Sequence, residues 1–242
     1  MTTFPQVLSG LLARDAGRPL VTFYDDDTGE RTELSVTTYA NWVAKVASLL
    51  VEELEVEHGG RVLVDLPTHW LAPVVLGAAW AGGLEVVWEG AADAVVTGPD
   101  GVERWAGEAT RVPVVASALL PLARGFATTL PAGIHDLGVE VWSQPDAYVA
   151  WPAPADDDPA VAGVTQAELW SAAAVGSLIT DGGRLLSETS PASPSGLASF
   201  IEPLARGGSM VLVTHTSEER RERIAVVERV TARFDPGQPA RS

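Results

Sequence analysis

Apolar residues recur along the chain with two different periods, which predict where helices and strands lie. The predicted helices begin with two turns carrying Val7, Leu8, Leu11 and Leu12, followed by a long helix from Thr37 or Thr38 to about Leu54 and an apolar helix over 69–81. Three more are a helix capped by Thr165 and Glu168, one around 195–205 and a last one from Ser217 to about Phe234. The predicted strands cover 20–24, 31–35, 61–66, 84–88, 94–97, 146–151, 184–188 and 209–214. Such an alternation is typical of right-handed βαβ units, and we predict an α/β fold with a layered, mostly parallel sheet flanked by helices.

Irregular segments interrupt this pattern without dividing the chain. Four prolines break the segment 98–144, and the segment 152–159 consists only of proline, alanine and aspartate. We find no internal repeat and predict a single α/β domain over residues 1–234. The remaining residues, 235–242, are predicted to be a disordered tail.

Composition restricts the partners of the 242-residue chain. Its net charge of −16 argues against nucleic acid and against anionic membranes, both of which attract basic proteins. The longest apolar stretch, 70–84, is too short to span a bilayer. The absence of cysteine excludes disulfides, thiol nucleophiles and cysteine-bound metals. Because no secretory signal is visible either, we predict a cytoplasmic protein.

The sequence lacks the motifs that usually hold nucleotide phosphates. Neither GxGxxG nor GxxxxGK[ST] occurs. Gly77 and Gly82 have the glycine spacing of the second motif, but Gly83 replaces its lysine and the run lies along the predicted helix and its end, so the glycines are assigned to helix packing. The only lysine, Lys45, falls off the apolar stripe of its helix and is predicted to face water.

Other candidates for chemistry have simpler interpretations. The histidines are scattered and predict no zinc site: His58, His69, His135 and His215. The serines near Gly196 are assigned to the start of a helix rather than to catalysis: Ser193, Ser195 and Ser199. The acidic turn 25–30 lacks the glycine position of an EF-hand loop and predicts a solvated turn. We therefore assign no catalytic, cofactor-binding or metal-binding residue, and we predict no cofactor.

The order of several short motifs resembles a known family. The segment ELSVTTYA at 33–40 precedes the long helix and is followed by GGRVLVDLP at 59–67 and WAGG at 80–83. Further along, LARGGSMVLV occupies 204–213. This succession resembles the N-terminal part of the acyl-CoA synthetase and adenylation-domain superfamily of AMP-forming enzymes, over most of residues 1–234. The resemblance implies a fold similar to the N-terminal subdomain region of these adenylate-forming enzymes.

The resemblance also locates the family's phosphate loop, and here the sequence departs from the pattern. In the family, a strand similar to DAYVA at 146–150 leads into a Ser/Thr/Gly-rich loop ending in Pro-Lys-Gly, which wraps the ATP phosphates. In this chain 151–163 read WPAPADDDPAVAG, and only Gly163 and Val164 resemble the end of the motif. Carboxylates near a triphosphate repel it by about 1 kcal/mol per close pair even in water. The family's later nucleotide motifs and its lysine-bearing C-terminal domain have no counterpart in the sequence.

Three interpretations of function remain. The first is a non-catalytic relative of AMP-forming acyl-CoA synthetases and adenylation domains that works as a binding or assembly module. A second copy of the chain, forming a homo-oligomer, or a protein partner would then cover the sheet edge at which the family's sheet continues. The second is an adenylate-forming or acyl- or nucleotide-handling enzyme completed by a partner subunit. Its acid–base candidates are Asp65, Asp156, Asp157 and Asp158. The third is a small-molecule binder that uses the apolar region around Trp70 and Trp80.

Overall fold

The computed structural model describes residues 2–237, and most of them belong to two sheets and the helices packed on them. The helices are α1 Phe4–Asp15, α2 Val36–Ser48, α3 Leu71–Ala81, α4 Val102–Trp105, α5 Leu137–Glu140, α6 Gln166–Ala174, α7 Ala198–Ala205 and α8 Glu218–Val227. The strands are β1 Pro19–Asp25, β2 Glu30–Ser35, β3 Arg61–Asp65, β4 Glu85–Val87, β5 Ala94–Thr97, β6 Val114–Ala116, β7 Ile134–Asp136, β8 Pro159–Val161, β9 Val164–Thr165, β10 Arg184–Ser187, β11 Ser209–Thr214 and β12 Ala232–Arg233. Of the tail predicted to be disordered, residues 238–242 lie outside the described residues.

Both sheets are mostly parallel, as predicted. The five-stranded sheet has the order β12-β10-β11-β1-β2, and the seven-stranded sheet has the order β7-β6-β5-β3-β4-β8-β9. The antiparallel pairs are β1 with β2 and β8 with β9, and the other pairs are parallel. Each antiparallel pair is a hairpin at one edge of its sheet, because only a hairpin allows so short a connection.

A layer of helices lies between the two sheets. Helix α2 contacts β1 and β2 of the first sheet, α3 contacts β3 and β4 of the second, and the two helices pack on each other. Helix α3 is apolar on all sides, with nearly every side chain buried, because it is covered from both directions. The largest side chains of this core include Phe4, Trp80 and Trp170, whose rings contact one another.

Local sequence signals explain several of the element ends. The Thr165 side chain accepts from the N–H of Glu168, whose carboxylate accepts in return from the N–H of Thr165, so the predicted capping box is confirmed. Ser217 caps α8 as predicted. Helix α2 is capped by Ser35 rather than by Thr37 or Thr38, because the Ser35 hydroxyl accepts from the N–H of Thr38.

Two further predictions about elements are wrong in extent or kind, and one segment without a prediction forms strands. The segment 146–151 is not a strand, because no neighbouring strand among residues 2–237 pairs with it. The last helix ends at Val227, well before Phe234, and the chain then forms β12 beside β10. The segment 98–144, which has no clear sequence pattern, contributes the short strands β6 and β7. None of the helices within residues 2–237 has the length and apolar character needed to cross a membrane.

Candidate functional site

The segment 151–163, which the resemblance equates with the phosphate loop, is folded onto itself. The N–H of Ala155 donates to the Asp158 carboxylate at 2.7 Å, and the N–H of Asp158 donates to the Ala155 carbonyl at 3.2 Å. The N–H of Gly163 donates to Oε1 of Glu85 at 2.9 Å. Three positions of the segment are prolines, which have no N–H. The N–H groups of Ala155, Asp158 and Gly163 are therefore already bonded within the protein and are not free for a ligand.

The same segment is anchored to the rest of the fold at both ends of the turn 156–158. His58 Nε2 lies 3.0 Å from Asp158 Oδ2. The carbonyls of Asp158 and Asp156 accept from the N–H groups of Gln166 and Ala167 at the start of α6, at 2.9 and 3.0 Å. Beyond the turn, β8 pairs with β4, so the turn cannot move away from the seven-stranded sheet without breaking these contacts.

Asp65, an acid–base candidate from the sequence, is held in a network of hydrogen bonds at the end of β3. Its Oδ2 accepts from Trp105 Nε1 at 2.8 Å and from the Thr97 hydroxyl at 3.2 Å. The Arg104 guanidinium lies 3.1 Å from the same oxygen. These three contacts occupy Oδ2 of Asp65, which joins β3 to β5 and α4 rather than serving as a free base.

Lys45 does not face water, which corrects the sequence prediction. Its ammonium donates to the carbonyl of Gln144 at 2.6 Å and lies 3.0 Å from the Asp146 carboxylate. The lysine side chain is 16% exposed. The sequence could not show this, because the partners are about a hundred positions away in the chain. The contact ties α2 to the beginning of the segment that leads into 151–163.

An apolar cavity of about 470 Å³ lies beside that segment. Helices α1 and α2 form one wall, where Phe4, Leu8 and Val43 contribute apolar side chains. The other wall is the stretch 146–150 together with Ala153 and Pro154. The cavity can accept apolar groups, but it has few polar atoms with which to orient a nucleotide.

A search of family models found none that matches the chain. A curated protein from Mycobacterium tuberculosis, named "TIGR03089 family protein", is 36% identical over 249 residues, and the alignment covers 96% of this chain and 99% of that protein. The chain belongs to the TIGR03089 family.

Solved structures show which fold this member of the TIGR03089 family has. It superposes on an acyl-CoA synthetase from Brucella canis with a TM-score of 0.75 at 18% identity, covering 94% of this chain and 46% of the synthetase. The N-terminal domain of FACL13 from Mycobacterium tuberculosis gives a TM-score of 0.70 at 15% identity, with 95% of this chain and 62% of that domain covered. The chain thus spans about half of the synthetase and less than two thirds of the FACL13 domain. The predicted resemblance to the N-terminal portion of acyl-CoA synthetases is confirmed, and at these identities it is a similarity of fold.

The histidines of this TIGR03089 family member are dispersed, and three of the four form close pairs with different carboxylates. His135 contacts Glu140, and His215 Nδ1 lies 2.9 Å from Asp25. The hydrogen bond with Asp25 raises the pKa of His215, and the nearby Asp27 carboxylate adds to the effect. Among residues 2–237 no group of three or more metal-ligating side chains comes together. The pairing of His58 with Asp158 was missed, because one hundred positions separate them in the sequence.

Trp70 and Trp80 are buried side chains of the core. Trp70 Nε1 donates to the Glu30 carboxylate at 3.1 Å, and Trp80 Nε1 donates to the carbonyl of Ala160 at 3.0 Å. With their polar atoms bonded and their rings covered, both tryptophans act in packing.

The serines near Gly196 shape the entry to α7. Ser193 accepts from the N–H of Gly196, and the Ser199 hydroxyl donates to the Gly196 carbonyl. Ser195 contacts the hydroxyl of Ser193 at 3.5 Å. These bonds lie within the turn that leads into α7, but the N-cap residue of α7 is Leu197 and has no side-chain cap, so the capping predicted for these serines is wrong.

Proposed function

We propose that the protein is a non-catalytic relative of AMP-forming acyl-CoA synthetases and that it works as a binding or assembly module. The observation that carries this proposal is the internal bonding of 151–163. The N–H groups of Ala155 and Gly163 already donate to carboxylates of the protein itself. In a working phosphate loop, such groups point outward at the anion.

Two energetic terms oppose ATP at this position. Hydrogen bonds to charged acceptors contribute about 1.5–3 kcal/mol each, and the phosphates would have to replace two of them. The carboxylates of Asp156 and Asp157 would then lie near the phosphates, where each close pair costs about 1 kcal/mol in water and more when buried. Magnesium could bridge the charges, but the segment would still need new backbone donors.

Titration calorimetry of the purified chain with Mg-ATP and with AMP tests this proposal. We expect no binding heat at micromolar protein. The D156N/D157N double variant, which removes two carboxylates but leaves the backbone bonds, should also give no binding heat. Binding by the double variant alone would mean that repulsion, rather than the lack of donors, prevents binding. Binding by the natural sequence would favour an adenylate-forming enzyme completed by a partner subunit.

We also propose that residues 1–234 form one domain and that the protein is cytoplasmic. The single-domain proposal is supported by one large core cluster that includes Phe23 of the first sheet and Val62 of the second. The location is compatible with the sequence, which has no cysteine and therefore needs no oxidising compartment.

A further inference from the structure

The stretch 146–151 has the side-chain pattern of a strand but lacks a strand's partner. Tyr148 and Ala150 face the protein, whereas Val149 and Trp151 are 88% and 96% exposed. This alternation has the period of two that is typical of an extended chain. It also explains why the sequence predicts a strand here.

The backbone of this stretch is unpaired. No N–H or C=O of Asp146–Trp151 hydrogen-bonds to another of the residues 2–237. A row of unpaired backbone groups beside exposed apolar side chains is a site at which another chain can add a strand. Both features coincide here at Val149 and Trp151, two of the most exposed large apolar residues in the described chain.

The surroundings of the stretch offer space for the side chains of a partner. One side borders the cavity of about 470 Å³ formed with α1 and α2. The other side borders a second cavity of about 490 Å³, which Tyr148, Ala150 and Trp151 line together with the segment 55–58. Alternate side chains of an added strand would point toward these two cavities, the apolar one beside α1 and α2 and the acidic one beside 55–58, as side chains enter pockets in strand-addition complexes.

The charges around the stretch determine which partner fits. Glu55 and Glu57 line the second cavity, and burial together with the Glu52 carboxylate raises the pKa of the Tyr148 hydroxyl. Lys45 is already paired with Asp146 and does not offset these acids. A second copy of the chain would bring the same acidic groups together, because a two-fold interface places equal surfaces opposite each other. Charge complementarity instead favours a basic partner.

We propose that 146–151 is a docking edge for an extended segment of a partner protein, in which basic residues alternate with apolar ones. This inference rests on the proposed role as a binding or assembly module and gives that role a location.

Hydrogen exchange measured by mass spectrometry on the full chain tests the docking edge. The probe is a synthetic peptide of alternating lysine and valine, added at about 1 mM, a concentration that detects weak binding. We expect the amides of 147–151 to exchange freely without peptide and about ten-fold more slowly with it. The matching peptide of alternating glutamate and valine should give no protection, and added salt should weaken the effect of the lysine peptide.

Two variants at Val149 test whether backbone pairing is responsible. Val149→Pro removes an N–H without disturbing the core and should abolish the protection, whereas Val149→Thr keeps the N–H and should retain it. Thermal melts establish that both variants are folded. The inference is overturned if the lysine peptide protects nothing, or if the free protein already shows protection that grows with its own concentration, which would assign the edge to a second copy. Either result leaves the calorimetric test with ATP unaffected, so the two proposals fail separately.

Discussion

At the residue scale, Asp157 and Asp158 are neighbours with different surroundings. The Asp158 carboxylate accepts from the N–H of Ala155 and pairs with His58, while Asp157 is exposed and its carboxylate contacts no donor among residues 2–237. Removing Asp158 leaves a polar backbone group and a histidine without their partner. The conformation of 151–163 therefore depends on one of these carboxylates and not on the other.

We predict that Asp158→Ala lowers the free energy of unfolding by about 1–3 kcal/mol, the range for a charged hydrogen bond that is lost. Asp157→Ala should stay within about 0.5 kcal/mol of the natural protein, as is usual for surface substitutions. Urea unfolding followed by tryptophan fluorescence measures both. Equal effects of the two variants would contradict the contacts described for Asp158.

Glu202 allows a prediction about pH. Burial raises the pKa of Glu202, although the N–H of Leu178 and the charge of Arg206 act in the opposite direction. A carboxyl whose pKa is raised on folding stabilises the protein fully below its unfolded pKa, and this contribution is lost as the pH rises through the folded value. The ionised carboxylate is therefore unfavourable at neutral pH.

Glu202→Gln should accordingly increase stability at pH 8, by less than about 1 kcal/mol because the group is partly exposed and screened. Glutamine can still accept from the N–H of Leu178. The gain should shrink as the pH falls from 8 through the raised pKa of Glu202 toward the ordinary value of 4.5. Urea unfolding of the natural protein and the variant across this range is the measurement. If Glu202→Gln lowers stability by the same amount at every pH, the carboxylate is needed for its shape or its hydrogen bonds instead.

At the scale of elements, the contact between α2 and α3 depends on Gly77. A Cβ at this position would come within 2.2 Å of the Tyr39 hydroxyl and 2.8 Å of Phe4. Helix packing, the role assigned to Gly77 from the sequence, is thus its role in the structure. The exposed Gly10 in α1 provides a matched comparison, because a Cβ there meets nothing within 4 Å.

We predict that Gly77→Ala destabilises the fold by about 1–3 kcal/mol through overpacking. Gly10→Ala should stabilise it by up to about 1 kcal/mol, since alanine is the better helix former. Thermal unfolding monitored by circular dichroism distinguishes the two. A stabilising Gly77→Ala would mean that α2 and α3 are less closely packed than described.

Signals confined to a few neighbouring residues were predictable from the sequence. The hairpin of β1 and β2, the capping box at Thr165 and the absence of a glycine loop at 151–163 all follow from local residue types. The strand predicted at 146–151 shows the limit of this reasoning. Its period of two is real, but a strand also needs a neighbour, and no local pattern reports whether one exists.

The contacts of the candidate site were less predictable, because they join distant parts of the chain. Lys45 reaches Gln144 and Asp146, and His58 reaches Asp158. Each of these side chains alone is a typical surface residue. Only the fold, which places α2 beside 144–146 and β4 beside β8, brings the partners together.

At the scale of the whole molecule, the fold and the activity are separate questions. Two mostly parallel sheets with helices between them reproduce the N-terminal portion of acyl-CoA synthetases at TM-scores of 0.70 and 0.75. The same scaffold carries a proline- and aspartate-rich segment at the position that the resemblance assigns to the phosphate loop. A fold can be retained while the chemistry on it changes, so function has to be argued from the segment 151–163.

Pyrophosphate release from Mg-ATP and a carboxylic acid is the most direct test of the proposal that the protein is non-catalytic. The assay uses the purified natural chain with carboxylic acids of increasing length, and an active acyl-CoA synthetase serves as the positive control. Because the N–H groups of Ala155 and Gly163 already donate to carboxylates of the protein, and the exposed Asp157 carboxylate would repel the phosphates, we predict no release above the rate without protein. Release that requires both ATP and the acid, and that follows the folded protein through purification, would contradict the account.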